Sequence, residues 1–409
     1  MSGVEVRRRC VFFLGGYEPI PAPRQHERFV RELRRFKKTW NAEATVSDLA
    51  LTREGAVASW TVATRGPDWA VDTEYRSLIW GDIVESDFSR PEWVRVPAGI
   101  AAFADFILSG TALRYFVVNW RYGLFFAYPV LILLSFVVFA FWAASAVAGL
   151  GLPYPALLTP LVAFAIFCGL IVVPGRFLML AYMLDDWIFA AELIRRSRAG
   201  LDARIDTFAR EVADRLDAGG VDEFVFAGHS LGCALKLAVV DRALALRERA
   251  GRAPVRLNLV STGSSLLKIA LHPKGAWLKE AVDRVVRRND VFWIEYQTLV
   301  DIISFYKVNP VEALRLPPAP IPLIQKVRVR HMLDDEVYNR YRGNFFRLHR
   351  QLVMGNDKRY FYDYFMICCG PFRLETRARD PERMMRAFRP DGTLADAAAS
   401  TATEKENRT

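Results

Sequence analysis

The feature that most constrains this chain is a stretch of 54 residues, from Tyr122 to Gly175, without a single charged side chain. One helix of that length would be roughly 80 Å long, whereas one crossing of a bilayer takes about 20 helical residues. Two crossings joined by a short turn fit the stretch, and the sequence GLGLPYP at 149–155 supplies the turn. We therefore predict membrane-spanning helices at 123–150 and 156–174.

Basic residues lie on both outer flanks of this stretch, and none lies in the turn. Arg114 and Arg121 precede the first predicted span, and Arg176 and Arg195 follow the second. Because Lys and Arg are retained on the cytoplasmic side of a membrane, both flanks should face the cytoplasm. The sequence thus predicts a two-pass protein of an inner membrane, with both termini and any catalytic domain in the cytoplasm.

The segments next to the predicted spans are apolar with few charges. Residues 98–119 and 177–194 are expected to form interfacial helices that join the hairpin to a soluble domain. Asp185 and Asp186 argue against a third crossing in the second of these segments. Two alternatives stay open, which are a buried helical pair in a soluble core and, because of Pro129, a shallow re-entrant hairpin.

Composition and charge narrow the classes of protein further. A chain that is 52% hydrophobic and 13% aromatic is not mainly disordered. The net charge of +10 is spread over short clusters without zinc-finger spacing, so membrane lipids or an anionic substrate are expected partners and nucleic acid is not. The five cysteines contain no CxxC pair, which favours a reducing compartment. No metal or cofactor is expected.

Outside the uncharged stretch, short β-rich runs alternate with helical patterns. The runs EFVFA, VRLNLVSTG, DVFWIEYQ and KVRVRHML are typical of strands. This alternation predicts an α/β fold with a mostly parallel sheet, split in sequence by the membrane hairpin. We expect the sheet domain at 1–97 and 200–390, the membrane insertion at 98–199, and a disordered tail at 391–409.

One short motif carries chemistry. The sequence GHSLG at 228–232 places Ser230 between two glycines, directly after EFVFA and directly before a helical pattern. A G-x-S-x-G motif in that position forms a strained turn that raises the serine hydroxyl above the edge of the sheet. The N-terminus of the following helix also stabilises negative charge that develops near the serine.

The run VFAGHSLGCA resembles the lipase-type serine signature of the α/β-hydrolase superfamily, in the form common in lipases and thioesterases. The resemblance implies helices on both faces of the sheet and a nucleophile at Ser230, followed along the chain by an acid and then a histidine. It also implies an oxyanion hole built from the backbone N–H of Leu231 and of Gly16 or Tyr17. Lipases often carry His-Gly at that second place, where this chain has Gly15 and Gly16.

Several residues are candidates for the base and the acid. His349 follows the last predicted strand and is favoured as the base, with His331, at the end of KVRVRHML, as the alternative. Asp301 follows DVFWIEYQ by a few residues, as the resemblance implies for the acid, with Glu295 and Asp290 as alternatives. Ordinary structural roles, such as a helix cap or a packed strand histidine, remain open for these residues.

These features together predict a membrane-anchored serine hydrolase of the esterase, lipase or thioesterase type. Its substrate would be an acyl ester or thioester, cleaved through a Ser-His-Asp triad and an acyl-enzyme. Two alternatives remain, which are an acyltransferase with the same triad and a non-catalytic membrane scaffold or assembly factor.

Overall fold

The computed structural model describes residues 4–149, 151 and 154–395. This part of the chain forms a nine-stranded mixed sheet and a larger number of helices. The strands are β1 (Arg8–Leu14), β2 (Glu43–Val46), β3 (Ala50–Thr52), β4 (Val57–Arg65), β5 (Ala70–Leu78), β6 (Glu223–His229), β7 (Leu257–Thr262), β8 (Val291–Thr298) and β9 (Leu323–Val327).

The described residues also form eighteen α-helices and three short 3₁₀ helices. The α-helices are α1 (Ala22–Trp40), α2 (Gly81–Phe88), α3 (Glu92–Leu108), α4 (Thr111–Val118), α5 (Trp120–Ala148), α6 (Pro155–Val172), α7 (Pro174–Phe177), α8 (Leu180–Arg195), α9 (Leu201–Ala218), α10 (Gly232–Arg249), α11 (Leu266–Ala270), α12 (Ala276–Val286), α13 (Pro310–Ala313), α14 (Asp335–Tyr341), α15 (Phe345–Arg350), α16 (Tyr364–Cys369), α17 (Leu374–Arg379) and α18 (Pro381–Arg386). The 3₁₀ helices are Pro273–Gly275, Val329–His331 and Gln351–Val353.

The strand order is β2-β4-β5-β1-β6-β7-β8-β9, and β3 pairs with β4. The six neighbouring strands from β5 to β9 are all parallel, whereas β4 is antiparallel to β2, β3 and β5. The prediction of an α/β fold with a mostly parallel sheet is therefore confirmed.

The core lies in the middle of this sheet. Every residue of β6, β7 and β8 is buried, which explains why their sequences are nearly continuous apolar runs rather than alternating ones. Because parallel strands end at the same edge of a sheet, the segments that follow β1, β6, β7 and β8 come together there. Gly15, Ser230, Gly263 and Asp301 all belong to those segments.

Two details differ from the sequence-based expectations. The run KVRVRHML is a strand only as far as Val327, and His331 belongs to a 3₁₀ helix instead. Residues 391–395, assigned to a disordered tail, pack in the structure: Leu394 is buried and its N–H donates to the Asp68 carboxylate at 3.0 Å. The remainder of that tail, 396–409, lies outside the described residues.

The chain divides into two compact units. The sheet unit comprises the described residues of Met1–Ile83, Ala199–Ala270 and Ala276–Thr409. The helical unit comprises those of Val84–Arg198 and Leu271–Gly275.

Two helices of the helical unit, among the residues described, are long and apolar enough to cross a membrane. They are α5 and the segment Pro155–Phe177 that contains α6, each with a mean hydropathy of 2.6. The start of α5 is fixed by Asn119, whose side chain accepts a hydrogen bond from the Tyr122 N–H at 3.1 Å. The predicted interfacial helix at 98–119 is two helices, α3 and α4, with a bend of 69° between them.

Candidate active site

Ser230 occupies a strained turn between β6 and α10. Its φ is +55°, in the left-handed region that non-glycine residues rarely adopt, at a cost of about 1–3 kcal/mol. Its N–H donates to the Thr262 carbonyl at 3.0 Å, and its own carbonyl accepts from the N–H groups of Cys233 and Ser265 at 3.0 and 3.2 Å. These bonds on both sides hold the turn, which leaves the Ser230 side chain partly exposed.

The two glycines of the motif are needed because backbone passes close to each. A Cβ at Gly228 would lie 3.1 Å from the Cα of Cys233, in the first turn of α10. A Cβ at Gly232 would lie 2.2 Å from the carbonyl oxygen of Leu14 and 2.4 Å from that of Gly15. The motif thus lets β6, α10 and the end of β1 meet at one point.

The loop after β1 lies directly against the serine. A Cβ at Gly16 would be 2.9 Å from the Cβ of Ser230 and 3.4 Å from its Oγ. The loop is held by the Trp80 indole N–H, which donates to the Gly15 carbonyl at 3.1 Å. Backbone from two sources therefore adjoins Ser230, namely the Gly16 segment and Leu231 at the start of α10, which are the segments expected to form an oxyanion hole.

His349 and Asp301 form a buried pair. Nδ1 of His349 lies 2.7 Å from Oδ2 of Asp301, and the other carboxylate oxygen accepts from the Ile303 N–H at 3.0 Å. Asp301 is 1% exposed and His349 is 6% exposed. Because Nδ1 faces a carboxylate, it carries the proton, and Nε2 is left with a lone pair that can accept one.

The second ring nitrogen of His349 has no hydrogen-bond partner within the described part of the chain, although it is buried. Buried polar atoms are nearly always paired, so an unpaired one needs an explanation. An imidazole that is oriented by a carboxylate and keeps its other nitrogen unpaired has the arrangement required of a general base.

Gly263, in the turn after β7, connects the serine to this pair. A Cβ on Gly263 would lie 2.7 Å from Cε1 of His349 and 3.0 Å from Oδ2 of Asp301. The residues on either side of this turn, Thr262 and Ser265, are the ones that bond the backbone of Ser230. The backbone of Ser230 and the His349–Asp301 pair therefore adjoin the same turn, whereas Nε2 of His349 forms no hydrogen bond with the Ser230 hydroxyl.

His229 gives a second link between the serine segment and the base. Its ring lies 4.5 Å from that of His349, centroid to centroid, and its Nε2 donates to the His349 carbonyl oxygen at 3.1 Å. Burial, together with the nearby His349 ring, holds the pKa of His229 well below its ordinary value, so His229 stays neutral. Sequence reasoning set His229 aside, because the resemblance implies that it points away from the site, and it gave no role to Gly263. The small-residue run STGSS at 261–265, across the end of β7, was the available signal for Gly263.

The other candidate residues have different surroundings. His331 is exposed, and its ring packs edge-on against Tyr360 at 5.6 Å. Asp290 precedes β8, at the opposite end of that strand from Asp301, and pairs with Arg288 at 2.8 Å. Glu295 is buried within β8, where desolvation raises its pKa to about 7.

Glu295 belongs to a polar cluster beneath the serine turn. Lys236 of α10 is fully buried, and its Nζ donates to the Val260 carbonyl at 2.6 Å and to the Ser261 hydroxyl at 2.8 Å. Desolvation lowers the pKa of Lys236 to about 8, and the carboxylate of Glu295 partly opposes that shift. Val260 and Ser261 lie just before Thr262, so the cluster supports the strand end that holds the serine.

The described residues contain no group of three or more His, Cys, Asp or Glu side chains placed to hold a metal ion. Comparison of the chain with protein-family models, with curated proteins and with solved structures found no match.

Proposed function

We propose that this chain is a membrane-anchored serine hydrolase with an α/β-hydrolase-like sheet domain, acting on an acyl ester or thioester. The observation that carries the proposal is the buried His349–Asp301 pair at 2.7 Å, which meets the strained Ser230 turn at Gly263. The order of the three residues supports it as well, because the serine follows β6, the acid follows β8 and the histidine follows β9.

In the first half of the proposed reaction, Nε2 of His349 accepts the hydroxyl proton of Ser230 while Oγ attacks the carbonyl carbon of the substrate. Asp301 keeps the imidazole in the required tautomer and stabilises its charged form. The protonated His349 then donates to the leaving alcohol or thiol as the bond to the carbonyl carbon breaks. Ser230 is left as an acyl ester.

In the second half, His349 takes a proton from water as the water oxygen attacks the acyl-enzyme. The bond from the carbonyl carbon to Ser230 Oγ then breaks, the protonated His349 returns its proton to Oγ, and the carboxylic acid is released. Both halves pass through a tetrahedral oxyanion. The backbone N–H groups of Leu231 and of Gly16 or Tyr17 are the proposed donors to it. Loss of one such donor typically costs about 10²–10³ in rate.

The membrane anchor consists of α5 and α6 as two crossings. Strand pairing supports an even number of crossings: β1 pairs with β5, before the helical unit in sequence, and with β6, after it. Strands that share hydrogen bonds must be on one side of the membrane. The basic flanks favour the cytoplasmic side. A site tethered to a bilayer suits a substrate with an apolar acyl chain.

Labelling with a fluorophosphonate tests the proposed chemistry, because this reagent reacts with activated serines. We expect the full chain in membranes to be labelled and Ser230→Ala to remain unlabelled. Ser89→Ala, which changes an exposed serine of the helical unit, serves as the matched control and should be labelled like the native chain.

Two results would overturn the proposal. A folded native chain that is not labelled would favour the non-catalytic scaffold. Labelling that persists in Ser230→Ala would mean that another serine is the nucleophile.

A further inference from the structure

The polarity of α3 is inverted relative to a helix in water. The exposed positions of α3 are all apolar: Trp93, Val94, Pro97, Ile100, Ala101, Ile107 and Leu108. Trp93, Ile100 and Ile107 are seven residues apart and share one face, where they are 65%, 56% and 53% exposed. A surface helix in water places charged residues on that face.

Two of the three charged residues of α3, Arg95 and Asp105, point into the helical unit instead, and the third, Glu92 at the start of the helix, is partly exposed and pairs with Arg95. Arg95 is buried and its Nε donates to Asp185 of α8 at 2.8 Å. Asp105 lies 2.8 Å from Arg195 and 3.1 Å from His272. Each of these charges is paired inside the unit, so the outer face of α3 presents hydrocarbon alone.

The same apolar surface continues along α4. Leu113 and Val117 are 69% and 77% exposed, whereas Tyr115 is fully buried. The one charged residue of α4, Arg114, is exposed, and its guanidinium donates to the Leu271 carbonyl within the helical unit at 2.7 Å. Since α4 is followed after one residue by α5, the exposed apolar face leads directly into the first proposed crossing.

By length and composition, α3 and α4 together would pass as a third, broken span. Strand pairing excludes this. A third crossing between 84 and 198 would put β5 and β6 on opposite sides of the membrane, yet both are bonded to β1. An apolar surface of this extent, which is neither a span nor covered by the rest of the helical unit, requires an apolar partner.

We infer that α3 and α4 lie within one leaflet of the bilayer, on the side from which the chain enters, with the Trp93–Ile100–Ile107 face and the Leu113–Val117 face against lipid chains. Trp93 at one end and Trp120 at the other, both exposed, are placed where aromatic side chains anchor at an interface. This inference depends on the proposed anchoring by α5 and α6 but not on the proposed chemistry.

Spin labels at single cysteines test it in the full chain reconstituted into vesicles of phosphatidylcholine and phosphatidylglycerol. Cys168→Ala provides the background, because the other four cysteines are buried. Labels are placed at Ile100→Cys, Ile107→Cys and Val117→Cys. Collision rates with oxygen, which dissolves in lipid, are compared with those of a nickel chelate, which stays in water.

Two further sites calibrate the measurement. Val138→Cys lies on α5 and is 69% exposed, and Leu51→Cys lies on β3 of the sheet unit and is 54% exposed. We expect oxygen collisions to exceed nickel collisions at the three test sites, as at Val138, and the reverse at Leu51.

Each other outcome has a distinct meaning. If nickel collisions exceed oxygen collisions at the three test sites, as at Leu51→Cys, while oxygen collisions exceed nickel collisions at Val138→Cys, the inference is wrong and the proposed membrane anchor is still supported. If the test sites exclude both reagents, a protein surface such as a second copy covers them, and the inference is again wrong. If nickel collisions exceed oxygen collisions at Val138→Cys as well, the proposal that α5 anchors the chain in the membrane is wrong.

Discussion

His349 shows at the scale of a single residue how a sequence hypothesis becomes a structural one. The sequence named two histidines and three acids, and no pattern in it says which of them meet. In the structure, Asp301 is the acid that contacts His349. Glu295 is buried within β8, where the charge of Lys236 acts on it, and His331 is exposed. Tertiary contacts between residues 48 positions apart decide the pairing.

Replacing Asp301 tests its role in orienting the base. We expect Asp301→Asn to lower kcat for a p-nitrophenyl ester by on the order of 10³–10⁴ with little change in KM, because the amide favours the wrong imidazole tautomer. Asp290→Asn is the matched control, since Asp290 lies at the other end of the same strand and should leave kcat unchanged. The opposite ranking of the two variants would assign the acid to Asp290.

The Lys236–Glu295 cluster predicts a specific dependence of stability on pH. Burial raises the pKa of Glu295 from 4.5 to about 7, so the folded chain binds the extra proton between those values and stability falls as pH rises. Burial lowers the pKa of Lys236 from 10.5 to about 8, so the unfolded chain binds the extra proton there and stability rises with pH. Urea unfolding in detergent, repeated across the pH range, measures both the fall and the rise in unfolding free energy.

We expect Lys236→Met to gain less unfolding free energy than the native chain between about pH 8 and 10.5, because the contribution of the lysine rises over that range whereas the raised pKa values of the buried cysteines oppose it. Lys326→Met, at an exposed position on β9, should gain as much as the native chain. A gain that is unchanged in Lys236→Met would contradict the burial of this amine.

At the scale of elements, the serine turn depends on how closely three segments approach. Gly232 sits where the end of β1 touches α10, and the sequence signal for this contact was the motif itself. The two long apolar helices were predictable for a similar reason, because an uncharged run limits where they can begin and end. Spans at 123–150 and 156–174 were predicted, and α5 and α6 cover Trp120–Ala148 and Pro155–Val172. The break between α3 and α4 gave no comparable signal.

Adding one methyl group at this contact should be costly. Gly232→Ala places a Cβ 2.2 Å from the Leu14 carbonyl oxygen, and we expect it to lower the unfolding free energy by about 1–3 kcal/mol. Gly343→Ala is the control, because a Cβ there meets nothing within 4 Å. Thermal unfolding compares the two, and equal midpoints would contradict the close approach of β1 and α10.

The crossings can be tested with a membrane-impermeant maleimide in sealed, oriented vesicles, on the Cys168→Ala background. Ser89→Cys and Ala199→Cys flank the segment from α3 to α8 in sequence, and Tyr154→Cys lies between α5 and α6. We expect the two flanking sites to react from one side and Tyr154→Cys from the other. Reaction of Ser89→Cys and Ala199→Cys from opposite sides would rule out an even number of crossings.

At the scale of the whole molecule, the sheet is assembled from segments far apart in sequence. β1 pairs with β5 and with β6, and more than a hundred residues of helical unit separate β5 from β6 along the chain. Strand alternation predicted the fold class, because each buried strand is a local apolar run. Strand order could not be predicted, since it depends on contacts between these distant segments. The same reason explains why the Gly263 turn was missed.

The most direct test of the central claim is to trap the acyl-enzyme. The full chain is mixed with one molar equivalent of a p-nitrophenyl acyl ester, and the reaction is quenched in acid. The protein is then digested for mass spectrometry. The account predicts a burst of nitrophenol and an acyl adduct on the peptide that contains Ser230, both absent in Ser230→Ala. A native chain that turns over the ester without any adduct on that peptide, or with the adduct on another residue, would contradict it.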